Sequence, residues 1–367
     1  MNIPLMRPCI EADDLQAMNK AIDGGLISQG SLTRALEDSF SSMLNMHGSV
    51  ATNSGTSALV LALRTLRVGP GDQVIIPSYT CVAVLNAVLQ VGAEPRLVDN
   101  LYDTSRMDFN ISVDSIRADL TQTTRAIIVP HMFGVPACID EILEFGVPVI
   151  EDGTLSLGAK YKDRLIGSWG DIAVFSLHSS KMIAAGEGGI LSANARETYE
   201  RARYLNSSDD NQPQQRLRDA NEFEFELRYN FHLPDIAAAL ALNQLTKLPT
   251  FLSRRRELAQ RYVERLSGIP SLNLPRVAGN PNIFQRFIVG LIGFGPIDVI
   301  QRFSSAGIEV GRGVFPPLHY FLKLSAQRFP QAERAVRTLI SIPLYPGLQE
   351  PEIAHLLQTS EEILRSA

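Results

Sequence analysis

Short apolar runs and helical segments alternate between residues 74 and 192, and this alternation limits the chain to few folds. Six runs rich in valine, isoleucine and leucine are predicted strands, at residues 74–76, 96–98, 126–129, 147–150, 172–175 and 189–192. Predicted helices lie between several of them, at residues 82–91, 113–120 and 139–145. Because strands that are joined through helices run parallel, the pattern predicts an α/β fold with a mostly parallel sheet covered on both faces.

The regions on either side follow other patterns, and a chain of 367 residues has room for two domains. Helices are predicted at residues 11–24 and 32–44, a polar surface loop at 206–222, and a long helical stretch at 235–266, broken near Pro249. After Pro275 we predict a strand at 283–292, a helix at 296–306, a strand at 308–310 and a terminal helix at 351–365. The expected division is a large domain with an N-terminal helical arm, residues 1–249, and a small α+β domain, residues 250–367.

The composition argues against several classes of function. A net charge of −5 gives no reason to expect nucleic acid or a membrane surface as a partner. The apolar runs are shorter than the ~18 residues needed to span a bilayer, and the N-terminus lacks a signal-peptide pattern. Cys9, Cys81 and Cys138 are far apart and have no metal-ligand spacing. We therefore expect a cytoplasmic protein without a metal site.

Two of the predicted strands end beside charged side chains. The strand at 147–150 is followed by Glu151 and Asp152, and the strand at 172–175 by Ser176 and then by Lys181. Ligands of open α/β sheets bind at the carboxyl ends of strands. An enzyme that uses pyridoxal phosphate (PLP) needs a lysine to form a Schiff base and a carboxylate to keep the pyridine nitrogen protonated. Lys181 and Asp152 are therefore candidate catalytic residues.

Simpler interpretations of these residues stay open at this point. Asp152 could be a strand-end residue that caps the next helix, and Lys181 could be a solvated surface lysine. The position of Lys181 between an apolar strand and the sequence AAGEGG favours a tightly packed loop instead. Glu151 should point away from Asp152, because side chains alternate along a strand.

The loop at residues 53–57, with the sequence NSGTS, is a candidate phosphate site. It opens into an apolar helix, and a helix N-terminus offers free N–H groups and a positive dipole end. Gly55 permits close backbone approach, Thr56 and Ser57 add hydroxyl groups, and Ser176 is placed to meet the same phosphate. The loop could also serve only as a helix cap.

Several further polar residues have no clear role from spacing alone. His131, His178, His232 and His319 are scattered, which favours structural or substrate-pocket roles over metal binding. Arg312 could bind a donor carboxylate or a nucleotide phosphate, or could form a structural ion pair.

A series of short motifs runs in order along nearly the whole chain. They are PLMRP, LISQG, NSGTSAL, VIIPSYT, IVPHMFG, VIEDGTLSLGA, GDIAVFSLHSSK, GEGG, YNFHLPDIAAALALNQL, PPLH and SIPLYPG. In this order they resemble the DegT/StrS-type nucleotide-sugar aminotransferases, a branch of the fold type I PLP-dependent enzymes. The resemblance implies a fold type I architecture with pyridoxal 5′-phosphate as the cofactor.

The resemblance also implies roles for individual residues. Lys181 matches the Schiff-base lysine and Asp152 the partner of the pyridine nitrogen, whereas Thr56, Ser57 and Ser176 match phosphate contacts. Asn230 resembles an asparagine that reaches the phosphate of the neighbouring subunit's cofactor, which implies a homodimer with active sites at the interface. Cys81 stands where the family often has an aromatic residue stacked on the cofactor ring.

The implied reaction moves an amino group by a ping-pong Schiff-base mechanism. Glutamate, or sometimes glutamine, is the donor, a keto-sugar nucleotide is the acceptor, and the product serves polysaccharide or antibiotic-sugar biosynthesis. We expect the acceptor pocket to include the loop at 28–29, the segment 206–222 and residues 312–319. The candidate substrate residues are Ser28, His178, Arg312 and His319.

Two departures from the family pattern lie near Asp152. Leu155 replaces a glutamine that lies close to the cofactor's phenolic oxygen, and Leu157 replaces a histidine found in many relatives. These changes keep three other functions open: an aminocyclitol or other natural-product aminotransferase, a PLP-dependent sugar dehydratase, and a non-catalytic PLP-binding protein. The dehydratases replace the lysine by histidine, so Lys181 argues against the second.

Overall fold

Two β-sheets, each with its own surrounding helices, organise the chain in the computed structural model, which describes residues 2–207 and 226–366. In chain order the first elements are α1 (Ala12–Asp23), α2 (Ser31–Leu44), β1 (Gly48–Thr52), α3 (Gly55–Thr65), β2 (Gln73–Pro77), α4 (Val82–Gln90), β3 (Glu94–Val98), α5 (Val113–Asp119), β4 (Thr124–Pro130), α6 (Ile139–Leu143), β5 (Val149–Asp152), β6 (Lys160–Tyr161) and β7 (Arg164–Leu165). The others are β8 (Ile172–Ser176), β9 (Gly189–Ala193), α7 (Arg196–Leu205), α8 (Asp235–Thr246), α9 (Leu248–Leu266), β10 (Leu272–Asn273), β11 (Phe287–Leu291), α10 (Pro296–Ser305), β12 (Gly311–Arg312), α11 (Leu318–Phe321), α12 (Pro330–Thr338), β13 (Leu339–Ile342) and α13 (Glu350–Arg365).

The larger sheet has seven strands in the order β1-β9-β8-β5-β4-β2-β3. Its pairs from β8 to β3 are all parallel, because a helix or a long connection carries the chain back after each strand. Strand β9 follows β8 without an intervening helix and is antiparallel to both of its neighbours. The prediction of an α/β fold with a mostly parallel central sheet is confirmed, and each of the six predicted strands overlaps one of its strands.

The C-terminal sheet is antiparallel, in the order β10-β11-β13-β12. A separate apolar core supports it, built mainly from α9, α10, α13 and the strands themselves. The predicted strand at 308–310 is wrong: the strand lies at β12, and Ile308 makes only an isolated bridge to Ile3. Strand β13 lies between β11 and β12 but had no sequence prediction. The domain boundary at residues 249 and 250 stays a prediction, since α9 starts there and packs against both cores.

Most of the predicted polar loop at 206–222, from residue 208 onward, lies outside the described residues. Among the described residues, no helix has the length and apolarity that crossing a bilayer requires.

A buried carboxylate from α8 caps the start of α2. Asp235 is fully buried, and its Oδ1 accepts hydrogen bonds from the backbone N–H of Gly30 and of Thr33, each at 2.8 Å, while its Oδ2 accepts one from Leu32. A Cβ atom at position 30 would lie 2.8 Å from Oδ2, so only glycine fits there. The segments LISQG and YNFHLPD, far apart in sequence, are thus joined through a helix cap.

We predict that Asp235→Asn lowers the free energy of unfolding at pH 7 by about 2 kcal/mol, because the new amide group must face a backbone N–H donor. Burial alone would raise the pKa of Asp235, but the hydrogen bonds from Thr33 and from the backbone outweigh it and hold this pKa below its usual value. The stabilisation is therefore complete above about pH 4 and is lost as the pH falls through the lowered pKa. Urea unfolding at several pH values measures it.

The matched control is Asp298→Asn, at an exposed position in the first turn of α10. It should change the free energy of unfolding by less than about 0.5 kcal/mol. Equal effects of the two substitutions would contradict the proposed cap.

Candidate active site

The carboxyl ends of β4, β5 and β8 meet the N-terminus of α3 around a cavity of about 370 Å³. Seven of the residues singled out from the sequence line it together: Gly55, Thr56, Cys81, Asp152, Ser176, His178 and Lys181. They come from four separate parts of the chain, and the sheet order brings them to one edge.

Lys181 lies in the loop that reverses the chain between β8 and β9. The loop is held by backbone hydrogen bonds, among them Lys181 N–H to the carbonyl of His178 at 2.9 Å and Ala185 N–H to that of Leu177 at 2.8 Å. Burial lowers the pKa of the Lys181 amine, although the Asp152 carboxylate acts in the opposite direction. The amine is therefore uncharged for more of the time than a surface lysine, as a nucleophile requires.

Asp152 ends β5 and is 5% exposed. Its Oδ1 accepts a hydrogen bond from the backbone N–H of Thr154 at 3.0 Å, and its carbonyl accepts one from His131 N–H at 3.1 Å. Within the described residues, Oδ2 makes no hydrogen bond. A carboxylate held in this way can accept a proton or a hydrogen bond from a ligand in the cavity.

The start of α3 forms a polar cradle on the same cavity. Ser54 caps the helix, since its side chain accepts from Ser57 N–H at 3.1 Å. The N–H groups of Gly55 and Thr56 have no acceptor among the described residues. A Cβ atom on Gly55 would lie 3.0 Å from the Cβ of Ser176, so glycine lets the helix start approach β8 closely. Free N–H groups, a helix dipole and two hydroxyls fit a phosphate group.

Glu151 points away from the cavity, as the alternation along β5 predicts. It is fully buried, and its carboxylate accepts N–H groups of Gly167, Trp169 and Gly170 at 2.7–2.9 Å. His131 Nε2 lies 3.2 Å from Oε2, and its Nδ1 accepts from a backbone N–H, so Nε2 carries the proton. Burial alone would raise the pKa of Glu151, but the hydrogen bond from His131 and those from the backbone outweigh it and keep this pKa low.

A second cavity of about 600 Å³ adjoins the first and shares Thr80, Cys81, Leu155, Lys181 and Arg286 with it. Its other walls are largely apolar and include residues 132–133 and 313–316. Arg312 also lines it, with the guanidinium carbon 3.9 Å from the centre of the Phe315 ring. Sequence reasoning missed Arg286. The available signal was a single charged residue inside the apolar run predicted as a strand at 283–292.

Some predicted residues lie elsewhere. Ser28 lines a separate polar cavity of about 330 Å³, and the side chain of Ser57 donates to Asn53 Oδ1 at 2.6 Å instead of lining the main cavity. The substrate role predicted for His319 needs correction, because this residue is 0% exposed and lies between Ser78 and Glu333. Its buried contacts give it a structural role. Asn230 is exposed and outside the cavity of its own chain.

The three departures from the family pattern differ in their surroundings. Leu155 lines both cavities, so it replaces a polar group on the cavity wall itself. Leu157 is 4% exposed and packs in an apolar cluster with residues of α2 and β8. Cys81 is exposed at the start of α4 and faces both cavities.

The model of the DegT/DnrJ/EryC1/StrS aminotransferase family matches residues 8–360. The chain is similar to Spr1654 from Streptococcus pneumoniae, named as a sugar aminotransferase and solved in PLP and PMP forms. Against the PMP form the identity is 25% and the TM-score 0.89, with 100% of this chain and 98% of that chain covered.

Two further solved structures are similar over almost their full lengths. The aminotransferase TlmJ from Streptoalloteichus hindustanus is 28% identical, with a TM-score of 0.86 and 99% of each chain covered. PseC from Helicobacter pylori, described as an aminotransferase of pseudoaminic acid biosynthesis, shares the fold at 20% identity, with a TM-score of 0.88 and 100% of each chain covered.

We predict that Glu151→Gln lowers the free energy of unfolding by about 3 kcal/mol. Each carboxylate oxygen receives two N–H groups, so the amide nitrogen must face donors in either orientation. Urea denaturation measures the change, and Glu187→Gln, at an exposed rim position, is the control. A loss below about 0.5 kcal/mol at position 151 would be inconsistent with this role.

Proposed function

Because the chain belongs to the DegT/DnrJ/EryC1/StrS aminotransferase family, whose members are PLP-dependent enzymes, we propose that it transfers an amino group from glutamate to a keto-sugar nucleotide. The reaction is a ping-pong transamination in which the donor leaves before the acceptor binds. The location is a reducing cytoplasm, in keeping with three free cysteines.

One observation carries this proposal: a half-buried lysine, a strand-end carboxylate and a phosphate-type cradle face the same cavity. Lys181, Asp152 and the start of α3 offer the three kinds of group that the aldehyde, the ring nitrogen and the phosphate of PLP require.

Each of these residues has its own role in the proposed reaction. When bound, PLP supplies a carbonyl carbon for attachment of the amino group and a ring that accepts the electron pair left on the substrate carbon. Lys181 Nζ takes the proton from one substrate carbon and returns it to another position, as a general base and then as an acid. The Asp152 carboxylate accepts a hydrogen bond from the ring nitrogen and keeps it protonated, while Thr56, Ser176 and the N–H groups of α3 hold the phosphate.

The second cavity is the proposed site of the acceptor. It is large enough for a sugar ring and is lined by Lys181 and by Arg312, whose guanidinium is suited to bind a phosphate of a nucleotide. His178 lines the first cavity at its rim, next to Glu187 at 3.7 Å, and is placed to contact a substrate hydroxyl.

A homodimer is part of the proposal. The strand-end residue Asn53 donates its backbone N–H to the carbonyl of Phe231 at 2.7 Å, so the segment around Asn230 lies beside the phosphate cradle while the Asn230 side chain faces outward. This arrangement supports a contact between Asn230 and the cofactor phosphate of a second subunit.

We predict that Lys181→Ala lowers the rate of amino transfer by at least about 10³-fold, because the proton-transfer group is lost. Asp152→Asn should lower it about 10²-fold, since an amide no longer holds the ring nitrogen protonated. The measurement is the glutamate-dependent loss of the visible cofactor absorbance, followed in single-turnover mode.

The control is Lys323→Ala, which removes an exposed lysine and should leave the rate unchanged. Thermal melts of all variants check the fold. A Lys181→Ala variant with near-native activity would sink the mechanism, and an absorbance band that glutamate and glutamine both leave untouched would sink the donor assignment.

A further inference from the structure

Arg286 is the cation that the proposed mechanism leaves without a role. It lies directly before β11, lines both cavities together with Lys181, and forms no ion pair within residues 2–207 and 226–366. Its Nη1 donates to the carbonyl of Gly313 at 3.0 Å, and its buried Nε has no hydrogen-bond partner. A buried charged donor without a partner costs free energy, which an anionic ligand can offset.

A second buried arginine, Arg255, provides a comparison. It is 1% exposed, and its Nη1 donates to the carbonyls of Phe284, Gln285 and Leu344 at 2.8–3.2 Å, although its Nε, like that of Arg286, has no hydrogen-bond partner among the described residues. Arg286, two residues beyond Phe284, donates to only one such carbonyl and lines both cavities. The smaller number of carbonyl contacts and the position on the cavity wall therefore distinguish Arg286, which leaves part of its guanidinium for a ligand.

The surrounding contacts fix Arg286 relative to Lys181. The neighbouring Gln285 donates from Nε2 to the carbonyl of Ser180 at 3.2 Å, which ties the start of β11 to the residue before the lysine. On the other side, Val314 N–H donates to the hydroxyl of Tyr79 at 3.0 Å, and this holds the loop whose Gly313 carbonyl binds Arg286. The two cationic side chains therefore keep a set position across the shared part of the cavities.

The covalent structure of the amino-acid donor indicates which anion Arg286 can bind. The donor amine must reach the place that the Lys181 amine occupies, and in an α-amino acid the carboxylate is only two covalent bonds from that nitrogen. An arginine that lines the same cavities as the lysine is thus a candidate to bind the α-carboxylate, and its Nη2, which unlike Nε is not enclosed, has N–H groups to donate to a carboxylate. Phosphates of a nucleotide lie a whole sugar ring away from the reacting carbon.

We propose that Arg286 binds the α-carboxylate of the amino-acid donor and so sets the requirement for an α-amino acid in the first half of the reaction. This rests on the proposed transamination. Nη2 donates to the carboxylate, the Gly313 carbonyl orients the guanidinium through Nη1, and the donor amine then points toward Lys181. At the end of the first half of the reaction the donor, now a keto acid, leaves the guanidinium, and the site is free before the acceptor binds.

The test compares Arg286→Gln and Arg286→Lys with wild type in steady-state kinetics with glutamate. Loss of a charge-assisted hydrogen bond should raise the KM for the donor about 10- to 100-fold in Arg286→Gln, with the KM for the acceptor changed less than about threefold. Arg286→Lys should lie between, because it keeps the charge and loses the planar guanidinium. The control is Arg328→Gln, which removes the charge of an exposed arginine outside both cavities and should leave both KM values unchanged.

A second amino donor distinguishes the contribution of the α-carboxylate of glutamate from that of its side-chain carboxylate. The compound 4-aminobutyrate keeps the side-chain carboxylate and lacks the α-carboxylate, so its half-reaction should be slow and equally slow in wild type and Arg286→Gln. An equal loss for glutamate and 4-aminobutyrate would overturn the proposal, as would a rise confined to the KM for the acceptor.

Binding of glutarate, a dicarboxylate without an amine, gives a readout that does not depend on turnover. Calorimetry should show binding to wild type that weakens at least about tenfold in Arg286→Gln, while absorbance shows equal cofactor content and thermal melts show equal folding. Glutarate binding that depends on Arg286 in a protein that transfers no amino group would refute the proposed function and leave the carboxylate site standing. Glutarate binding that is unchanged in the variant would refute the site.

Discussion

The end of strand β5 carries two adjacent carboxylates that face opposite sides of the sheet, and the rest of the site depends on this alternation. Glu151 turns away from the cavity and receives four N–H groups, from His131 and from the backbone between residues 167 and 170. These bonds offset the cost of burying the charge and hold the crossover into β8. Asp152, the next residue, faces the cavity instead. Within the described residues its carboxylate accepts a hydrogen bond from Thr154 N–H alone.

A single chain reversal brings the lysine to the same place. Because β9 returns beside β8 without a helix, the loop of residues 177–188 folds back over the carboxyl ends of the strands, where Lys181 and Asp152 line the same cavity. The approach is tight: a Cβ atom on Gly189 would lie 2.3 Å from the carbonyl oxygen of Ser54. Glycine at this position lets the start of α3 pack against β9. The polar cradle at the start of α3 and the loop that carries Lys181 therefore line the same cavity.

Charged groups of both signs line the two cavities. Arg286 lines both of them, Arg312 lines the second, and the start of α3 adds the positive end of a helix dipole, whereas Asp152 and the exposed Glu187 line the first. The apolar walls contributed by Leu155 and residues 313–316 leave few other polar groups to choose between acceptors.

Local chemistry allowed much of this protein to be predicted from its sequence. Strand and helix periodicity, glycine and proline positions and the helix cap at residues 53–57 depend on neighbouring residues, so the central sheet, Asp152 at a strand end and Lys181 in a tight loop were all predictable. The resemblance in ordered motifs added the expected cofactor and reaction. Which side chains face each other in the folded protein could be predicted only in part.

By itself the sequence determined the strands of the large sheet and the type of chemistry, and it predicted Lys181 and Asp152 as the catalytic residues. Only the tertiary structure decided that Arg286 lies beside Lys181, that His319 is enclosed between Ser78 and Glu333, and that Asp235 caps a helix some 200 residues earlier. It also placed β13 inside the small sheet. The physical reason is that these contacts join residues far apart in the chain, and strand order and packing, not local periodicity, determine which of them meet.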